Sequence, residues 1–281
     1  MDCKEIDYKN IAIQSDVIAG IVSLDVESIS CFRDLDGYVH SDQGVATLVL
    51  RAVNSPLYRR GKTIGNIPMA ISVLGFNVVR SLAMLAISRA LFAESRNPLF
   101  RLHVWHHSLL TALAAQVICR DLGNEKESDE AFIAGLLHDI GKVLLCTHEP
   151  RSYLDVLSLV LEQGIPSIAA EQQVFGCDHC QVGLEAVTQW KLPERFADYI
   201  ATDLSMLASP RSGETLQLGL ALANCLIRDN GIGARPQTDP DATKARLLAF
   251  GVDEVLAAPW LEEGFVTTLM DNETYQLCAN L

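Results

Sequence analysis

The chain lacks an excess of positive charge, is poor in aromatic residues, and has no long uninterrupted apolar run. Its 281 residues carry 22 lysines and arginines against 35 aspartates and glutamates, a net charge of −13. A surface of that sign repels phosphates at long range, which excludes a general binder of nucleic acid or of anionic membranes. It leaves room for a local basic pocket that meets one phosphate. No apolar stretch reaches the roughly 18 residues of a spanning helix. The N-terminal Met1-Asp2-Cys3-Lys4-Glu5 places acids where an export signal has basic residues, and no apolar block follows. The expectation is a cytoplasmic protein without a membrane anchor. Its eight scattered cysteines are then expected to be free thiols, several of them buried as small hydrophobes. Repeats of 20–50 residues and low-complexity stretches are missing as well. Gly65, Gly75 and Gly141 do not make a phosphate loop, and no Ser-His-Asp order stands out.

What is present is a core and a helical rhythm. Hydrophobic residues make up 49 % and charged residues 20 %, which is enough apolar material to exclude a disordered chain. Val45, Leu48, Val49 and Ala52 recur at helical spacing and are stopped by Pro56, with Asn54 suited to a left-handed turn. Asn66 and Asn77 are cap candidates for the next two helices. Trp105–Leu122 is apolar nearly all round and ends at Gly123; Ser128 opens a helix toward Asp139; Tyr153–Gln163 ends at Gly164. Asp178 and Gln181 have capping-box spacing, Ser212 starts a further helix, and Asp239-Pro240 starts one that ends at Gly251. Few segments alternate with a period of two. The pattern predicts an all-α multi-helix bundle, with an N-terminal helical subdomain over residues 1–100 and a second helical subdomain over 101–281. The boundary is expected near Asn97–Leu102, and a second loosening runs from Arg228 to Pro240.

The sharpest chemical feature is His138-Asp139-Ile140-Gly141-Lys142, placed after an apolar helical run that Gly141 is expected to break. An imidazole nitrogen and a carboxylate oxygen suit one divalent ion such as Mn, Fe, Ni or Zn. Further ligands must come from elsewhere, and His107 on an apolar helix and His179 in a first turn are the candidates. Such an ion would produce a hydroxide nucleophile for phosphoester hydrolysis, with Lys142 meeting a phosphate oxygen. Against this stand structural readings: His138 bonded to its own helix end, His107 a satisfied core histidine, His179 part of a cap, Lys142 a solvated charge. Cys177-x-x-Cys180 with His179 between them reads as incidental thiols, with zinc or redox chemistry as the alternative. Arg51, Arg59, Arg60 and Lys62 beside Tyr58 form a small basic patch, read as a solvated loop or a contact for an acidic partner.

Trp105-His106-His107-Ser108 and Gly135-Leu136-Leu137-His138-Asp139-Ile140-Gly141-Lys142 resemble the HD superfamily of metal-dependent phosphohydrolases. Leu50-Arg51-Ala52-Val53-Asn54-Ser55-Pro56-Leu57-Tyr58, Ala70-Ile71-Ser72-Val73-Leu74-Gly75, Phe175-Gly176-Cys177-Asp178-His179 and Trp190-Lys191-Leu192-Pro193-Glu194 resemble its HDOD branch. The matches span about residues 15 to 225. The resemblance implies an all-helical fold and a signalling or regulatory output module whose hydrolase site is often incomplete. It assigns His107, His138 and Asp139 to the metal site, with His179 as the later histidine of two-metal relatives. Asp139 and Lys142 are the implied catalytic pair. It also shows departures. Ala201-Thr202-Asp203-Leu204 stands where relatives have a second histidine pair, and Asn224 stands where the pattern closes with an aspartate, so that the one-metal site would take Asn224 or His179 as its further ligand, the amide oxygen being the poorer donor. The Gly-Tyr-Pro of cyclic-di-GMP-cleaving relatives is missing. The expectation is therefore a regulatory module with a partly degenerate one-metal site, the alternative being a metal-dependent phosphohydrolase. The expected partner is a protein or a small phosphorylated ligand, and a homodimer is compatible with that role.

Overall fold

The computed structural model describes residues 6, 8, 15–55, 61, 63–92, 97–200 and 215–279. Among these residues every regular element is helical, as the periodicity predicts. Five helices build the N-terminal part: α1 (Ser15–Val22), α2 (Cys31–Ser41), α3 (Gln43–Val53), α4 (Ile67–Leu74) and α5 (Phe76–Phe92). A short α6 (Pro98–Phe100) runs through a π-helical turn, Arg101–His106, into α7 (His107–Asp121). Then come α8 (Glu125–Leu137), α9 (Ile140–His148), α10 (Pro150–Gln163), α11 (Ser167–Phe175), α12 (His179–Gln189) and α13 (Arg195–Ile200). The last group is α14 (Thr215–Asp229), α15 (Pro240–Ala249), α16 (Glu254–Leu261), α17 (Gly264–Asp271) and α18 (Glu273–Ala279).

Local chemistry sets most of these boundaries. The Asn66 side chain accepts from Met69 N at 2.9 Å and caps α4. Asp178 and Gln181 close a full capping box on α12. Gly164 ends α10 in the left-handed conformation. Elsewhere a stronger cap upstream moves the start. Asn124 accepts from Glu127 N at 3.3 Å, so α8 begins at Glu125 and Ser128 falls inside its first turn. Asn97 accepts from Leu99 N at 2.9 Å, so helix begins there rather than at Trp105. Phe76 precedes Asn77 into α5. Asn54 is not left-handed (φ −95°). Its side chain bridges Leu50 O at 2.7 Å and both backbone groups of Ile64, at 2.8 and 2.9 Å. Pro56, Tyr58, Arg59, Arg60, Lys62, Ala201–Leu204 and Ser212 lie outside the described residues.

The centre is an antiparallel hairpin of α7 and α8, flanked by α14 and by α5. Its backbones approach closely because Gly135 faces Ala112: a Cβ on Gly135 would fall 2.4 Å from Ala112 Cα. The stretch Glu125–His148 is long and apolar enough to cross a membrane, but 89 % of its most apolar window is buried inside the protein.

A buried guanidinium joins the N-terminal helices to this hairpin. Arg80 on α5 donates to the last carbonyls of α1, Ile21 O at 3.0 Å and Val22 O at 2.9 Å. These are helix-end acceptors with no partner inside their own helix. Its other face meets Glu130 on α8 at 3.3 Å, and Arg195 meets the second oxygen of Glu130 at 2.7 Å. Arg80→Ala would take one donor from each of these carbonyls, leaving Ile21 O to Leu24 N and Val22 O to Arg195, and would remove a partner of Glu130, so a loss of about 1–3 kcal/mol is expected in urea unfolding. Gly141 is interior to α9 and does not break the helix; a Cβ there would fall 1.9 Å from His179 O. Gly141→Ala is expected to drive α9 off α12 at a cost of about 1–3 kcal/mol, read in the same experiment.

Candidate functional site

The His-Asp pair occupies a two-residue turn between α8 and α9. Asp139 is the N-cap residue of α9, yet its side chain makes no capping bond. The carboxylate is free to turn inward. The π-helical turn delivers the chain to His107 at the start of α7, directly across the hairpin from His138.

Hydrogen bonds fix both imidazoles. His107 Nδ1 lies 2.9 Å from Ile232 O, and His138 Nδ1 lies 2.8 Å from Gly135 O. A carbonyl can only accept, so each Nδ1 carries the hydrogen. In the neutral ring Nε2 is then a lone pair. Burial pushes His107 down to about 4, which keeps it neutral near neutral pH. Both Nε2 atoms are buried without a hydrogen-bond partner. They stand 3.4 and 3.3 Å from Asp139 Oδ2. Two nitrogen lone pairs and a carboxylate facing one point attract a cation and repel one another without it. His107, His138 and Asp139 each offer an atom to a group no more than 4.8 Å across.

A positive group is already there. Lys142, one turn into α9, donates to Asp139 Oδ2 at 2.7 Å. It is buried, not solvated. Burial alone would raise the Asp139 carboxyl, but neighbouring His138 and Lys142 outweigh that and hold it well below the usual carboxylate range.

His179 approaches from α12, with Nε2 3.7 Å from Asp139 Oδ1. Its other nitrogen faces Glu171 Oε2 at 2.5 Å, and its backbone N–H donates to the same oxygen at 2.8 Å. Burial opposes a charged ring here, yet the Glu171 carboxylate lifts His179 to about 10. An imidazolium has no lone pair for a metal. Tyr153 OH donates to Glu171 Oε1 at 3.2 Å. The order Asp139, His179, Glu171, Tyr153 is thus a buried polar row on α9–α12. Glu171 and Tyr153 escape sequence reasoning. The one available signal is an acid in the apolar stretch Ala169-Ala170-Glu171.

The cover comes from the irregular segment after α14. Gly233 N donates to His103 Nδ1 at 3.2 Å while Ile232 O receives His107. Gly233 has φ +91°, and a Cβ there would fall 2.5 Å from His107 Nδ1. Asn224 lies buried on α14, its Oδ1 without a partner. The structure therefore brings His107, His138, Asp139 and Lys142 together and sets His179 on the second oxygen of Asp139. The Cys177-x-x-Cys180 pair does not act as a unit. Cys177 is in a disulfide, against the expectation of free thiols, while Cys180 is a free thiol.

The chain matches the HDOD domain family over residues 11–205. An uncharacterized protein of Treponema pallidum (strain Nichols) is 22 % identical over 195 residues, 69 % of this chain. This chain spans only 38 % of that relative's length. Among solved structures, an HDOD domain protein of unknown function from Geobacter sulfurreducens aligns over 94 % of this chain and 90 % of its own, with TM-score 0.72 and 23 % identity. A candidate signal transduction protein of Marinobacter aquaeolei VT8 aligns over 100 % of this chain and 68 % of its own, with TM-score 0.70 and 19 % identity. A candidate phosphohydrolase of Shewanella amazonensis SB2B aligns over 96 % of both chains, with TM-score 0.62 and 20 % identity. These structures share the fold. With the family matched over well more than half of its length, this chain belongs to the HDOD domain family.

Proposed function

We propose that the protein is a regulatory interaction module, built on a closed His-His-Asp centre that holds one divalent ion, and not a hydrolase. The observation that carries this reading is closure. His107, His138, Asp139, Lys142, Glu171 and His179 are none of them more than 4 % exposed. Ile232 and Gly233 pack on the Nδ1 edge of His107, behind the ring that turns its Nε2 to Asp139. A phosphoester would need these buried groups exposed before it could reach them.

The residues fit a metal. Two orphaned imidazole nitrogens and a carboxylate oxygen form a mixed N/O donor set suited to Mn, Fe, Ni or Zn. A divalent ion held there would supply Lewis acidity. The chain's own groups do the rest. The Ile232 and Gly135 carbonyls orient the two rings, as outer partners of metal-binding histidines do. Lys142 neutralises Asp139, and Glu171 fixes His179. In this reading output passes to a protein partner, another copy of the chain included. The exposed side chains of Val26, Ile29 and Phe32 at the head of α2 support such a contact.

The second reading is a metal-dependent phosphohydrolase acting on a nucleotide or other phosphoester. It is favoured by one observation, the pair of unpartnered Nε2 atoms aimed at Asp139.

Elemental analysis of protein purified without chelator is expected to find about one transition metal per chain, lost in His138→Ala. Metal-free wild type would reduce the cluster to a structural remnant. Turnover of nitrophenyl phosphomonoesters and diesters with added Mn is expected to stay at background. Turnover that His138→Ala abolishes would replace the regulatory reading with the hydrolase one.

A further inference from the structure

A second pocket lies on the same helical hairpin, far from the His-Asp cluster. It has a volume of about 200 Å³ and is enclosed by α5, α7, α8 and the turn from α17 to α18. Gln116, which lines it, is nine residues beyond His107 on α7, or about 14 Å at helical rise. Leu82, Leu113 and Phe132 make a buried apolar floor. The mouth is polar: Arg120 from α7, Asp129 from α8, and Asn272 with Thr274 from the C-terminal turn. Ser81 lines the pocket from α5 and is buried.

The charges at the mouth are arranged for a dipolar ligand. Gln116 donates to Asp129 Oδ1 at 3.0 Å and so fixes that carboxylate on the pocket wall. Arg120 meets Glu125 through its Nε at 3.4 Å, and among the described residues its two terminal nitrogens have no partner. One guanidinium and one carboxylate above an apolar floor match a carboxylate and an ammonium attached to a small aliphatic group. The volume equals the liquid share of only about seven water molecules, below the ~300 Å³ at which pockets for drug-sized ligands begin. We propose that this pocket is a binding site for a small zwitterion of the aliphatic α-amino-acid class. The carboxylate meets Arg120, the ammonium meets Asp129, and the aliphatic group fills the floor. Because Asn272 and Thr274 follow α17, the ligand touches a C-terminal turn outside the family-matched residues 11–205 as well as the hairpin.

The test is calorimetric titration of the full chain with L-leucine and L-valine, alongside isovalerate and isoamylamine, which each lack one charge. Saturable one-to-one binding of an amino acid is expected, with both singly charged analogues weaker by roughly tenfold or more. Arg120→Gln and Asp129→Asn change the mouth without disturbing the floor and are expected to weaken binding by a similar factor. Val78→Trp fills the pocket from its half-buried wall and is expected to abolish binding while the helical circular dichroism is kept. Should that variant unfold, the two mouth variants decide the matter alone. Failure of both amino acids to bind at millimolar concentration, or binding indifferent to Arg120→Gln and Asp129→Asn, would overturn the proposal. Metal content at the His-Asp cluster is measured separately and moves with neither outcome.

Discussion

A carboxylate shut away from water must be neutralised by what surrounds it, and the Asp139 side chain organises this molecule around that demand. Lys142 satisfies part of it through one oxygen, and His179 faces the other. His107 and His138 turn their Nε2 atoms toward the same carboxylate, and neither makes a hydrogen bond there. Each neutralising group is held in turn. Glu171 keeps His179 charged, Tyr153 bonds Glu171, and two backbone carbonyls hold the rings of His107 and His138. Removing any one would leave an unpaired buried group, which is why five helices converge on a single side chain.

That convergence explains the close packing nearby. The hairpin of α7 and α8 closes tightly because Gly135 has no side chain to hold Ala112 away, so His107 and His138 come within reach of one another. Gly141 lets α9 press on the backbone of His179. Gly233 lets the segment after α14 lie flat on His107. The cluster is metal-like in its donors and core-like in its exposure. The pocket farther along the hairpin has the opposite character, since its charged mouth meets solvent.

The helices were largely legible from local chemistry. Asn66, the Asp178–Gln181 box, Gly164 and the Asp239-Pro240 start all act within a few residues, so spacing alone reveals them. The errors came from competition between nearby signals. Asn124 and Asn97 are better placed caps than the residues first favoured, and each extends its helix upstream. Asn54 looked like a turn residue because its side chain suits one, but that side chain spans ten residues to Ile64. Such a partner has no local signature. The same holds at the cluster. His107, His138 and Asp139 could be named from the motifs they sit in, whereas Glu171 could not, because its role comes from α11 packing against α12 beside a histidine eight residues away.

The all-helical class, the ends of most helices and the residue types that could meet a divalent ion are legible in the chain, because propensity, capping and motif spacing are written in neighbouring positions. The burial of Lys142 on Asp139, the pairing of His179 with Glu171 and the packing of residues after 230 against His107 are not. Burial, and the pairing of charges that burial enforces, depend on which distant segments meet, and that is settled when the whole core packs.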